Sequence, residues 1–167
     1  MAYAGTLEEK ALAETFAEAR DNASFGTPDQ FMSIAEPDGV EPVSLELLDP
    51  TLGSFANEEK ISMALELEKS ICAADKRIIG VESTEYVDSI NASAIVTTTG
   101  IRRASYEGGC YLAASSLATD GSDTQTGFGY SVGRNPHQLN IQKASDDAAE
   151  RATRLLGAKK AESGRRT

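Results

Sequence analysis

The stretch Ala92-Ser-Ala-Ile-Val-Thr-Thr-Thr-Gly-Ile-Arg-Arg-Ala-Ser-Tyr-Glu-Gly-Gly-Cys110 decides the reading of the fold. Its Ile, Val, Thr and Tyr side chains suit a pleated, half-buried surface, and a glycine between two such runs is a hairpin signal. The same composition continues outward in both directions. Residues 77–89, 92–99, 101–118 and 126–132 are predicted as successive strands, separated by Asn91, Gly100 and the Asp120-Gly121 pair. Separators this short fit antiparallel hairpins, because a parallel crossover needs roughly a dozen or more residues. Turns are expected at residues 98–101 and 119–122, and Gly108-Gly109 marks either a bulge or close packing against another backbone.

Beyond this block the apolar period changes to that of a helix. Residues 57–76 carry Ile61, Ala64, Leu65, Ile71 and Cys72 at helical spacing, and Met63, Leu67 and Ala74 widen the apolar surface. Such a helix needs a sheet on one side and a second neighbour. Glu68 lies between the apolar positions and is expected at the rim, the alternative being a buried functional carboxylate. Residues 139–156 form the last helix, whose Ala144, Ala148, Ala152 and Leu155 stripe allows close packing on a sheet; Gly157 stops it, and Lys159-Lys160 suits its carboxyl end. An opening helix is expected over residues 7–20, with Thr6 as its cap, Glu9 completing a capping box, and a stop between Asn22 and Gly26. Its apolar side would draw on Leu7, Ala11, Phe16 and Ala19. Gly26, Pro28, Pro37, Gly39, Pro42 and Pro50 then interrupt regular structure, leaving a long connection anchored by Phe31, Met32 and Ile34. The expected class is α+β, an antiparallel sheet flanked by long helices.

With 40% hydrophobic and 25% charged residues, the 167-residue chain is an ordinary domain or a piece of a larger protein, not a disordered segment. A core of Ala, Val, Ile and Leu follows from the absence of Trp. The formal charge of -10 argues against nucleic acid as a partner. The first 88 residues hold 6 Lys/Arg against 19 Asp/Glu, and the remainder 10 against 7, so a local basic surface around Arg102, Arg103 and Arg134 stays open. No apolar run of about 18 residues spans a membrane and no signal-peptide pattern opens the chain, which makes the cytoplasm the expected location. Cys72 and Cys110 permit one disulfide but are expected to be reduced and buried.

Candidate chemistry is sparse. His137 is the lone histidine, so no zinc site of two spaced histidines exists, and Asp120 with Asp123 reads as a turn rather than a calcium loop. Ser115 and Ser116 sit in a strand pattern and not in a nucleophile elbow; His137 and Asp146 do not complete a triad with them. Gly127-Phe-Gly-Tyr-Ser-Val-Gly133 lacks the ending of a phosphate-binding loop and reads as tight packing or a bulge. No catalytic, cofactor-binding or metal-binding residue is assigned.

The order of several segments is more specific than any one of them. Glu82-Ser-Thr-Glu-Tyr-Val-Asp-Ser-Ile-Asn-Ala-Ser-Ala-Ile-Val-Thr-Thr-Thr-Gly-Ile-Arg-Arg103, the Gly127 to Gly133 segment and Ala149-Glu-Arg-Ala-Thr-Arg-Leu-Leu-Gly-Ala-Lys159 together resemble the TldD/PmbA metallopeptidase family, in particular its PmbA (TldE) branch. Phe25-Gly-Thr-Pro-Asp29 is similar to the region before the second family helix, and the resemblance runs over most of residues 4–165. It implies a cytoplasmic subunit that assembles with a TldD-like catalytic partner to process peptides or unfolded proteins. Zinc is then expected in that partner, on a His-Glu-x-x-x-His element that this chain lacks, and no cofactor in this chain. It also implies that residues 1–158 are a portion of the family's amino-terminal domain and residues 159–167 a tail or truncated connection to a carboxy-terminal domain. Open strand edges at residues 92–99 or 101–118 leave two other readings: self-association, or a peptide- or protein-binding module without hydrolysis.

Overall fold

The computed structural model describes residues 1–165 and divides into two compact units. Residues 1–38 with 97–101 make one, and residues 39–96 with 102 onward make the other. In the first, α1 spans Glu9–Ser24 and none of its residues is buried. Thr6 is not its cap: it lies two residues ahead of the cap position, its hydroxyl accepts from the Glu8 N–H at 3.3 Å, and Glu8 occupies that position with no side-chain bond. Phe31 and Met32 are exposed rather than anchoring. Residues 97–101 form the expected hairpin turn, closed by Thr97 N–H on the Ile101 carbonyl at 2.9 Å, with Gly100 at a φ of +98° that a side chain would oppose.

The second unit holds the sheet. Three strands, β1 (Ile78–Val96), β2 (Arg102–Thr119) and β3 (Thr124–Gly133), pair antiparallel in the order β1-β2-β3. The break expected at Asn91 is absent: Asn91 pairs with Glu107 inside one continuous strand. A poor local propensity is outweighed when both neighbours are held in a ladder. Gly108-Gly109 carries no bulge either; the register shifts lie between Ile78 and Gly80 and between Val81 and Ser83. Gly108 serves close approach instead, since a Cβ there would meet Leu48 Cδ1 at 2.6 Å and Leu52 Cδ2 at 2.9 Å.

Two helices cover one face of this sheet. From α2 (Asn57–Ala74) Leu67 and Ile71, from β2 Leu112 and Ala114, and from α3 (Ile141–Leu155) Ala144 and Ala148 join a single buried cluster. The second neighbour of α2 is therefore α3. The buried stripe of α2 lies on Leu67 and Ile71, with Met63 and Ala64 at its margin, so Ile61, Leu65 and Cys72 are exposed where burial was expected; Glu68 is exposed and not a buried carboxylate. On α3 the alanine stripe is buried at positions 144, 148 and 152, whereas Leu155 lies outside it. Asn140 caps α3 through its side chain on the Lys143 N–H at 2.8 Å, and Gly157, at a φ of +70°, follows its end. Phe128, Tyr130 and Val132 of β3 stand on the opposite, uncovered face.

The alanines of α3 meet glycines of β3. A Cβ on Gly129 would run into the Ala144 carbonyl and come within 2.6 Å of the Ala148 N, and one on Gly127 would strike the Ala148 carbonyl. These are backbone atoms that cannot step aside. Gly129→Ala is expected to destabilise the chain by about 3 kcal/mol or more, the upper end of overpacking costs, whereas Gly80→Ala, which meets nothing within 4 Å, is expected to be near neutral. Urea unfolding of the two variants checks this; equal midpoints would refute the backbone contact.

Candidate functional site

Alternation along β1 puts Tyr86 and Asp88 on the same side of the sheet, under the amino-terminal half of α2. There Lys60 Nζ lies 2.6 Å from Asp88 Oδ2, with only 20% and 26% of the two side chains exposed. Tyr86 Oη donates to the same carboxylate oxygen at 3.1 Å, and the Lys60 ammonium sits 5.6 Å from the centre of the Tyr86 ring. Cys110, paired with Asp88 across the ladder, completes the group and directs Sγ–H toward the Gly133 carbonyl at 3.6 Å. Burial pushes the Tyr86 phenol well above its ordinary value, reinforced by the Cys110 thiol and by Asp88, while burial likewise pushes the Cys110 thiol up. A neutral buried thiol is a poor nucleophile. The arrangement ties α2 to β1 through a charge pair and holds a proton on the phenol.

A second group surrounds the lone histidine. Phe55 meets the His137 ring edge to face at a centroid distance of 4.8 Å, in a hollow bounded by Thr51, Ser54 and Glu59. Glu59 accepts from the Ala56 N–H and so caps α2. Asp49 accepts from Asn135 Nδ2 at 2.6 Å and from both Thr51 donors; those bonds lower its pKa, the Asn135 bond most. Among the described residues no three His, Cys, Asp or Glu side chains converge in a way that could hold a metal ion.

A third feature is an open groove of about 870 Å³ between residues 42–48 with Pro50 on one side and residues 103–106 of β2 on the other. Its closed end is a clamp: the Leu47 carbonyl accepts from the Gly108 N–H at 3.0 Å and from Arg134 Nη1 at 2.7 Å.

The residues weighed on sequence grounds do not come together. Ser116 is buried and its hydroxyl donates to the Ala148 carbonyl at 2.8 Å, joining sheet to helix. Asp146 accepts from Gln142 on its own helix, and Asp120 closes its turn by accepting from the Ser122 and Asp123 N–H groups at 2.9 Å. Arg103 Nη1 donates to the Arg102 carbonyl at 2.8 Å. Both cysteines are free, Cys110 buried and Cys72 exposed. The Lys60, Tyr86 and Asp88 group was missed; the signal for it was an aspartate two residues beyond a tyrosine in an alternating strand, which places both on one face.

These features define a class of domain: an antiparallel sheet with helices on one face, its ionisable groups engaged with one another. Residues 50–156 match the family described as PmbA/TldA metallopeptidase central domain. The chain belongs to the PmbA/TldD metallopeptidase family. Its fold is similar to that of a protein named for modulation of DNA gyrase from Thermotoga maritima, at 28% identity and a TM-score of 0.74 over 96% of this chain and 36% of that one. A like-named protein from Bacteroides thetaiotaomicron superposes with a TM-score of 0.79 at 24% identity, over 96% of this chain and 38% of that one. For TldE from Thermococcus kodakarensis the TM-score is 0.71 at 16% identity, over 89% and 33%. The chain thus spans little more than a third of the length of these relatives. No curated protein matches it. Among the described residues no helix is long and apolar enough to cross a membrane. The metal that the family's description implies does not fit the described residues, since His137 faces Phe55 and no ligating trio is present.

Two outcomes are expected of the buried group. Lys60→Met leaves Asp88 half-buried without its cation and is expected to cost about 1–2 kcal/mol, discounted for partial exposure, with part of the loss recovered in Lys60→Met/Asp88→Asn; an unchanged urea midpoint for the single variant would show the pair to be idle. For Tyr86 the native pKa is raised, so the folded chain keeps a proton that the unfolded chain loses near about pH 10. Its contribution is complete below about pH 10 and is lost as pH rises toward the native value. Stability profiles of the chain and of Tyr86→Phe should therefore diverge only on the alkaline side, the variant falling less steeply.

Proposed function

We propose that the chain is a noncatalytic domain or fragment of a PmbA/TldE-like subunit in a TldD/TldE metallopeptidase assembly that acts in peptide proteolysis or maturation. The observation that carries this reading is the family match across residues 50–156. Metal-assisted amide hydrolysis needs a metal to activate water or polarise the carbonyl, and a base to manage the proton. In this reading zinc and base belong to a TldD-like partner, the substrate is a peptide or unfolded protein, and the assembly works in the cytoplasm. Residues 1–158 are proposed as the amino-terminal-domain portion of the subunit and residues 159–167 as the connection onward, of which Arg166 and Thr167 lie outside the described residues. The net charge of -10 leaves nucleic acid out of the proposal.

A second reading, a binding module without hydrolysis, is favoured by the groove beside residues 103–106, which borders a strand edge over a length that β3 does not cover. An extended peptide there would pair with β2.

The two readings separate in a reconstitution. The full-length subunit by itself is expected to lack peptidase activity and to gain it, zinc-dependent, on adding a TldD-like partner; activity of the purified subunit alone with stoichiometric zinc would end the division of labour. In the reconstituted pair, His137→Gln is expected to keep kcat/KM within roughly tenfold and bound zinc unchanged. A larger loss accompanied by loss of zinc, with assembly intact, would place the metal on this chain.

A further inference from the structure

The outer edge of β3 presents a chemical selection that does not depend on the assembly reading. β2 is an inner strand, and the Gly108 N–H that reaches Leu47 shows which way its even-numbered residues turn their backbone groups, away from β1. Directly opposed residues of an antiparallel pair turn toward each other or away together. Cys110 opposes Gly133, Leu112 opposes Ser131 and Ala114 opposes Gly129, so the odd residues of β3 face β2 and Thr126, Phe128, Tyr130 and Val132 turn their N–H and C=O groups outward. The same four carry their side chains on the uncovered face.

A cation sits on this edge. Arg151 Nη1 donates to the outward Phe128 carbonyl at 2.8 Å, and the side chain remains 44% exposed. Its position follows from α3, where Lys143, Asp147 and Arg151 recur every four residues: Lys143 Nζ holds Asp147 Oδ2 at 2.8 Å, while Arg151 Nη2 reaches that oxygen only at 3.7 Å. The lysine thus satisfies the aspartate, and most of the five guanidinium donors stay available. The strand beneath, Thr124-Gln-Thr-Gly-Phe-Gly-Tyr-Ser-Val-Gly133, contains no charged residue. A neutral strand approaching the edge competes with Arg151 for the Phe128 carbonyl and offers the guanidinium no anion beyond the distant Asp147. A strand with a carboxylate beside the residue opposite Phe128, on the α3 side, adds an ion pair of the stronger, charge-assisted kind. A second copy of β3 offers no carboxylate.

We propose that the outer edge of β3 is a docking edge for an extended acidic segment of another protein, and that Arg151 is the residue that selects the acidic strand and rejects a second copy of this chain. Phe128, Tyr130 and Val132 supply the apolar face on which alternate side chains of that segment lie.

The test uses the 167-residue chain and short acetylated, amidated peptides of alternating valine and threonine with a central glutamate, glutamine or lysine. Fluorescence anisotropy is expected to show the glutamate probe binding roughly fivefold tighter than the glutamine probe. Hydrogen exchange should slow at the outward amides of Phe128, Tyr130 and Val132. Arg151→Ala should make the two probes equal and Arg151→Glu should favour the lysine probe, with the urea midpoint of each variant confirming that the fold persists. In sedimentation, Arg151→Ala should self-associate more strongly than the parent chain. Equal binding of the glutamate and glutamine probes by the parent chain, binding of neither, protection confined to residues 103–106, or a parent chain that already pairs with itself through β3 would overturn the proposal.

Discussion

Everything in the larger unit depends on the backbone of α3 lying directly on the backbone of β3. Gly127 and Gly129 make that approach open, because side chains there would collide with main-chain atoms of residues 144–152. The Ser116 hydroxyl locks the arrangement by donating to the Ala148 carbonyl at 2.8 Å, with the Gly127 carbonyl 3.2 Å away. A helix drawn this close leaves room beside it for α2, whose Leu67 and Ile71 close over Leu112 and Ala114. The position of α2 in turn puts Lys60 above Asp88. Small residues at one contact on β3 thus set the place of a charge pair on β1, at the opposite edge of the same face.

Cations are scarce in an acidic chain, and several of them make their shortest bonds to main-chain carbonyls. Arg103, Arg134 and Arg151 donate to the carbonyls of Arg102, Leu47 and Phe128 at 2.7–2.8 Å. Exposed strand edges invite unintended pairing, and charged side chains on them are a recurrent answer. The basic surface suggested by the second half of the sequence is therefore distributed along edges and connections, where its arginines act one at a time.

The sheet and its order were legible because alternation and short turns constrain antiparallel strands locally. What sequence could not resolve was set by partners distant along the chain. Asn91 reads as a break from its own propensity, yet Glu107 opposite keeps it in the strand. Helical period announced α2 but not its phase: Ile61, Leu65 and Cys72 lost the inward side to Leu67 and Ile71, whose neighbours on β2 and α3 no local pattern reveals. Thr6 failed as a cap for a subtler reason, since its hydroxyl bonds the Glu8 N–H just before the helix and not one inside its first turn. Tyr86 and Asp88 were readable as residues of one face, but Lys60 comes from α2 and only the packing of that helix brings it to them.

The same packing bears on what the domain offers a partner. A hydrolytic centre needs ligands, a nucleophile or an activated water, and a base free to exchange a proton. In this chain several of the groups with that chemistry hold elements together. Asp88 answers both Lys60 and Tyr86, the Ser116 hydroxyl donates to the Ala148 carbonyl, Cys110 is a buried neutral thiol, and His137 leans on Phe55. Freeing any of them for catalysis would loosen a contact on which α2 or α3 relies. The outer edge of β3 and the groove beside residues 103–106 carry no such duty. Recognition through main-chain pairing, with single arginines setting the sign of what is accepted, is the chemistry this architecture leaves exposed.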